Sequence, residues 1–224
     1  MTKYLGENKT IYVPNFYEGK KVVGINCKFE SRGINNEVIM SEKDIEKVII
    51  SEGVEFFHEN TFMNCSNLKY IQIPSTIKEI KTFYWSGICE NPFSGCSRDL
   101  VINLNTNDSF SYENGILYDT ILNRVVYVSP TLTGVIQLRD DTKVIGKKAF
   151  CNSLIEEVIF PQSLEEIYEY GFFNCLNMHA FILNENFKKL HRYALQNCPS
   201  VIDLHIPKNV VLELNALGYL RESK

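Results

Sequence analysis

Apolar residues in this chain recur in short alternating runs. Val48 and Ile50, Ile71 and Ile73, Val158 and Phe160, Phe181 and Leu183, and Leu204 and Ile206 each flank a single residue. That two-residue period is the pattern of a short β-strand with one face turned inward. Pro74, Pro161 and Pro207 follow three of these runs directly. Proline cannot donate to a continuing ladder, so the strands are predicted to stop there. A second apolar set comes a few residues later, at Val54 and Phe57, Ile77 and Ile80, Leu164 and Ile167, and Phe187 and Leu190. It predicts a second short extended segment after a turn.

Each unit closes on one compact signature of a small residue, Phe, any residue, Asn or Gly, and Cys. It reads TFMNC ending at Cys65, PFSGC at Cys96, AFCNS at Ser153, GFFNC at Cys175 and ALQNC at Cys198. Ser153, Cys175 and Cys198 stand 22 and 23 residues apart, while Cys65 and Cys96 are separated by 31, one repeat plus an eight-residue insertion around TFYWSGICEN. An earlier copy lacks the cysteine but keeps Ile45, Val48, Ile50, Val54, Phe57 and Phe62. Units of this length cannot bury their own apolar face and must stack to make a core.

The expected organisation is one domain over residues 1–224. Residues 1–44, containing IYVPNFYEGKKVVGI, form an irregular N-terminal cap; 45–96 are repeats; 97–135 are a repeat with an inserted hairpin; 136–212 are repeats; 213–224 form a C-terminal cap. In the insertion, Asn114-Gly115 is a turn signal and GILYD and RVVYV are strand-like, which predicts a β-hairpin between coils. The closing LNALGYLRESK is expected to be a short helix.

The segments YVPNFYEGKKVVGI, NLKYIQIPSTIKEI, SYENGILYD, KVIGKKAF and FFNC, taken in order, resemble those of the BspA-type leucine-rich repeat proteins, over residues 8–212. The resemblance implies an α/β repeat solenoid, a strand-dominated, right-handed leucine-rich-repeat coil carrying the inserted β-hairpin. It also implies a non-catalytic protein-binding module at the cell surface or secreted, recognising extracellular-matrix or host cell-surface proteins. Ser153 in place of the repeat cysteine and Asn184 in place of the strand-ending proline depart from the pattern. The opening MTKYLGENKTIYVPNFYEGK has no apolar core of the kind a secretory signal carries. An intracellular interaction scaffold with no host ligand, located in the cytoplasm, is therefore the alternative.

Composition narrows the partners. A hydrophobic share of 45% supplies a core, and 23 basic against 27 acidic side chains give a net charge of -4. With no global basic field, nucleic acid is not an expected partner. No run approaches the ~20 apolar residues of a membrane-spanning helix. Seven cysteines are present, and stacking at about 4.8 Å would make Cys65 and Cys96, and Cys175 and Cys198, neighbours in one column. Side chains in such a column point the same way, whereas a disulfide needs its Cβ atoms drawn to about 3.8 Å, so buried free thiols are expected. Cys27 and Cys89 lie outside the column and are the candidates for a reactive thiol. No cofactor or metal site is expected: no C-x-x-C pair occurs, His58 and His191 share a repeat slot several coils apart, and VIGKKAF lacks the first glycine of a phosphate loop.

Recognition is then expected on the outward residues of successive strands: Lys47 and Ile49, Tyr70 and Gln72, Gln137, Glu157 and Ile159, Ala180 and Ile182, Asp203 and His205. Ile49, Tyr70, Gln72, Gln137, Ile159, Ile182 and His205 are the candidate binding residues. Ile159 and Ile182 belong to adjacent coils and would make an apolar stripe with polar flanks. The alternative is that a neighbouring segment covers them, or that β-branched residues simply suit a sheet surface. Phe83 and Tyr84 in the insertion are a second candidate site, and Trp85, placed five residues after Ile80 as Phe62 follows Phe57, is expected in the core.

Overall fold

The computed structural model describes residues 9–25, 31–32, 38–40, 44–82 and 90–218. They group into two compact units, Met1–Tyr112 and Glu113–Lys224. The first contains β1 (Thr10–Val13), β2 (Phe16–Tyr17), β3 (Lys20–Lys21), β4 (Gly24–Ile25), β5 (Ser31–Arg32), β6 (Val38–Met40), β7 (Lys47–Ile50), β8 (Phe56–His58), β9 (Tyr70–Ile73), β10 (Glu79–Lys81) and β11 (Val101–Leu104), and β12 (Phe110–Glu113) runs across the boundary.

In this first unit β1, β7, β9 and β11 form one parallel sheet, and β4, β8 and β10 a second parallel ladder. Equivalent residues of successive coils stand side by side: Ile11 beside Val48, Val48 beside Ile71, and Ile71 beside Ile102. All four are buried. In the other ladder Ile25, Phe57 and Ile80 make the matching row. The signature phenylalanines fill the space between, with Phe62 edge-on to Phe57 at 5.2 Å and stacked on Phe93 at 5.8 Å. At Gly24 the Phe56 ring lies against the backbone, and a Cβ there would stand 2.1 Å from it, so a larger residue would have to displace the ring.

The second unit contains β13 (Ile116–Asp119), β14 (Arg124–Val128), β15 (Thr133–Gln137), β16 (Val144–Ile145), β17 (Leu154–Ile159), β18 (Glu166–Ile167), β19 (Ala180–Ile182), β20 (Lys189–Leu190), β21 (Asp203–His205) and β22 (Val211–Leu212). β14, β16, β18, β20 and β22 pair in parallel, one per coil, while β15 with β17 and β19 with β21 make two parallel pairs on the other wall. Phe150 and Phe172 stack at 4.4 Å inside. Leu204 and Leu212 occupy the slots that Phe181 and Leu190 bury in the preceding coil, yet stay 40% and 47% exposed, since no described residue covers them.

The helical part of the expected fold class is corrected. Among the described residues there is no α-helix, and the return from wall to wall is made by turns. Residues 74–78 between β9 and β10 leave no room for a stable helix, which is marginal below about 12–15 residues. The closing segment differs too. Residues 214–217 are turns, interrupted by left-handed Asn215 (φ 55) and Gly218 (φ 61), and residues 219–224 lie outside the described part.

The hairpin is present as β13 antiparallel to β14, with a bulge between Leu117 and Tyr118. Its connecting turn is residues 120–123, and Asn114-Gly115, with φ of 52 and 79, is the two-residue turn expected from the sequence, between β12 and β13. β14 is moreover the first strand of the parallel ladder, so the hairpin belongs to the coil wall and both its strands are buried on both faces.

Candidate protein-binding face

The strand register decides which side chains point outward. In the first unit the outward rows are Thr10, Lys47, Tyr70 and Val101, and Tyr12, Ile49, Gln72 and Asn103. Ile49, Tyr70 and Gln72 are half-buried between their neighbours. The Lys47 ammonium sits 4.7 Å from the centre of the Tyr70 ring, and Asn103 Nδ2 donates to the Tyr70 hydroxyl at 2.9 Å. These contacts tie Tyr70 to both neighbouring strands, β7 and β11. Tyr12, 66% exposed, and the exposed Val101 complete the face. Neither was singled out from the sequence, although IYVP and VINL carry the same alternation.

In the second unit Gln137 stands beside Ile159, and Ile182 beside His205. The His179 N–H donates to the Glu156 carbonyl at 2.9 Å, which places β19 next to β17 and Ile182 in the row of Ile159. Ile159 and Ile182 are 47% and 45% exposed, and no described segment lies over them. Gln137 and His205 are exposed at the two ends of the row, and His205 Nε2 lies 3.4 Å from Glu185. Ala180, expected outward, is buried. Phe83, Tyr84, Trp85, Cys27 and Cys89 lie outside the described residues.

The cysteine column consists of thiols. Cys96, Cys175 and Cys198 each donate from Sγ to the carbonyl of the signature phenylalanine one coil back, Phe62 at 3.1 Å, Phe150 at 3.1 Å and Phe172 at 2.9 Å. Among the described residues Cys65, Cys96, Cys151, Cys175 and Cys198 form no disulfide. Burial pushes the Cys175 thiol well above its ordinary value, which keeps it protonated and able to donate.

His191 has partners that the sequence did not disclose. It stacks on Tyr168 at 4.1 Å, its Nε2 is 2.9 Å from Glu166 and its Nδ1 3.5 Å from Glu213. These residues are more than twenty positions away in sequence and become neighbours only through coil stacking. Burial pushes the Tyr168 hydroxyl up to about 12, so it is no nucleophile at neutral pH. Among the described residues no group of three or more His, Cys, Asp and Glu is arranged to hold a metal ion, and no helix is long and apolar enough to cross a membrane.

Comparison with known proteins agrees with this geometry. The sequence pattern described as the BspA type leucine rich repeat region matches residues 6–114 and 120–217, in 6 copies. A leucine rich cell surface protein from Faecalibacterium prausnitzii superposes with a TM-score of 0.71 at 19% identity, covering 93% of this chain and 50% of that one. The pneumococcal vaccine antigen PcpA superposes with a TM-score of 0.54 at 17% identity, covering 91% of this chain and 57% of that one. The chain thus spans about half the length of these structures, and at such identities the likeness is one of fold. No protein of curated function matches.

Proposed function

The chain belongs to the BspA-type leucine-rich repeat family, and from that premise we propose that it is a non-catalytic module binding a protein partner through the outward strand residues. The observation that carries this is the pair Ile159 and Ile182, aliphatic, neighbouring and nearly half exposed. An apolar strip between polar ends is the composition of an interface core with its rim. The same reading makes the repeats coils of one right-handed solenoid domain over residues 1–224, supported by the parallel in-register ladders within each unit. It makes the partner an extracellular-matrix or host cell-surface protein and the location the cell surface, for which the support is the cell surface protein of similar fold.

The test is binding of the purified chain to immobilised extracellular-matrix glycoproteins, run beside Ile159→Lys/Ile182→Lys with its fold checked by circular dichroism. Saturable binding that the folded variant loses is the expected result. Binding that the variant retains overturns the strand face as the site, and no binding by either protein favours the intracellular scaffold.

A further inference from the structure

β21 has a neighbour on one side only: it pairs with β19, and no described strand follows it on that wall. The Asp203 N–H donates to the His179 carbonyl at 3.0 Å, and the His205 carbonyl accepts from the Leu183 N–H at 3.0 Å. Backbone groups of successive strand residues point to opposite sides, so the N–H and C=O of Leu204 both face the open edge. The Ile206 N–H and the Ile202 carbonyl face the same way and have no hydrogen bond among the described residues. The core is open there too. Leu204 is 40% exposed and Ile202 86%, whereas Phe181, beside Leu204 in the preceding coil, is buried. Such an edge is a template for another strand, and β21 carries neither the lysine nor the internal proline that commonly block one.

We propose that the open edge of β21 receives the β21 of a second copy of this chain, antiparallel, across a two-fold axis at Leu204. The sequence Ile202-Asp203-Leu204-His205-Ile206 is self-complementary about its centre. Antiparallel pairing there sets Leu204 beside the second copy's Leu204 as a hydrogen-bonded pair, each N–H donating to the other's carbonyl. Each Ile206 N–H then donates to the Ile202 carbonyl of the other copy, so every edge group named above finds a partner. On the outward face Asp203 stands opposite the second copy's His205, at the non-hydrogen-bonded position where side chains come closest. The two-fold makes this pair twice. His205 keeps Nδ1 for it, since its Nε2 lies towards Glu185 at 3.4 Å. The corresponding strands lack the pattern: β7 has Lys47 and Ile49 around its centre, β9 Tyr70 and Gln72, β17 Glu157 and Ile159, and β19 Ala180 and Ile182. The two Leu204 side chains also continue the interior row that Phe181 begins.

The pairing uses the edge of the sheet, so its failure leaves the protein-binding reading of the outward face standing. The full chain is followed by sedimentation velocity over a dilution series, with circular dichroism of each variant as the check on its fold. A reversible dimer is expected. Asp203→Lys removes the acid opposite His205, and His205→Glu sets two acids opposite each other, in both cases at two symmetric places. Each is expected to raise the dimer dissociation constant roughly tenfold. Asp203→Lys/His205→Glu restores opposite charges across the axis and is expected to return dimerisation to near the parent's. Both positions are exposed, so neither change disturbs the core. Hydrogen exchange at the Leu204 and Ile206 amides is expected to slow as the protein is concentrated. A chain that is monomeric at every concentration, a dimer insensitive to both single variants, or single-variant losses that the double variant does not recover overturns the proposal.

Discussion

Asn64, Asn152, Asn174 and Asn197 share φ values of 60 to 65, and Gly95 stands at 78. This left-handed turn is why the signature admits only Asn or Gly before the cysteine: a Cβ there crowds the following carbonyl, and Asn offsets the cost by hydrogen bonding. Asn174 does so twice, donating from Nδ2 to Asn152 at 2.6 Å and accepting from Asn197 Nδ2 at 2.5 Å. Asn174→Ala is expected to destabilise the protein by about 1–2 kcal/mol in urea unfolding, and Asn174→Gly by less. At the same scale, Cys175 is expected to resist iodoacetamide at neutral pH in the native protein and to react once unfolded, as mass spectrometry would show; alkylation of the native thiol contradicts its burial. The letters of the signature were plain in the sequence. Their reasons were not, because a left-handed φ and a thiol bonded to the Phe carbonyl one coil back exist only after the coils stack.

Strand positions were legible because a two-residue period and a closing proline are local. The hairpin was legible as two strands but not in its role. Nothing local says that β14 pairs with β16, or that Asp119 and Arg124, at the ends of the connecting turn, form an ion pair of 2.8 Å with both side chains buried. Asp119→Ala leaves the Arg124 charge uncompensated and is expected to cost about 3–5 kcal/mol, while Asp119→Leu/Arg124→Met is expected to cost less. A denaturation series in which the double replacement is the worse of the two refutes this. In the ladder of the second unit, between β20 and the end of β22, the hydrogen bond from Lys189 holds the Glu213 carboxyl below its usual value. A lowered folded value means stability that is complete above the ordinary Glu range and is lost as pH falls through the folded value. Between neutral pH and about pH 3, Glu213→Gln should therefore lose less stability than the parent. Equal losses would leave the Lys189 contact without energetic weight.

For the whole molecule, a net charge of -4 supplies no strong field to select a partner, so selection falls to shape and to local chemistry. The strand-face candidates of the second unit, Gln137, Ile159, Ile182 and His205, emerged from the sequence in the right row, because alternation fixes which side of a strand each residue takes. Tyr12 and Val101 escaped notice because they lie before the first regular sequence copy and after the insertion around residues 82–91, where the repeat is least regular. If the strand face is the binding site, the face carrying Ile182 meets the partner and the opposite wall does not. A photoreactive benzoylphenylalanine placed at Ile182, and in a second variant at Arg192, which is exposed just beyond β20 on the other wall, tests it in the presence of a glycoprotein that binds the chain. A covalent adduct is expected from position 182 and none from 192. An adduct from 192 alone would contradict it.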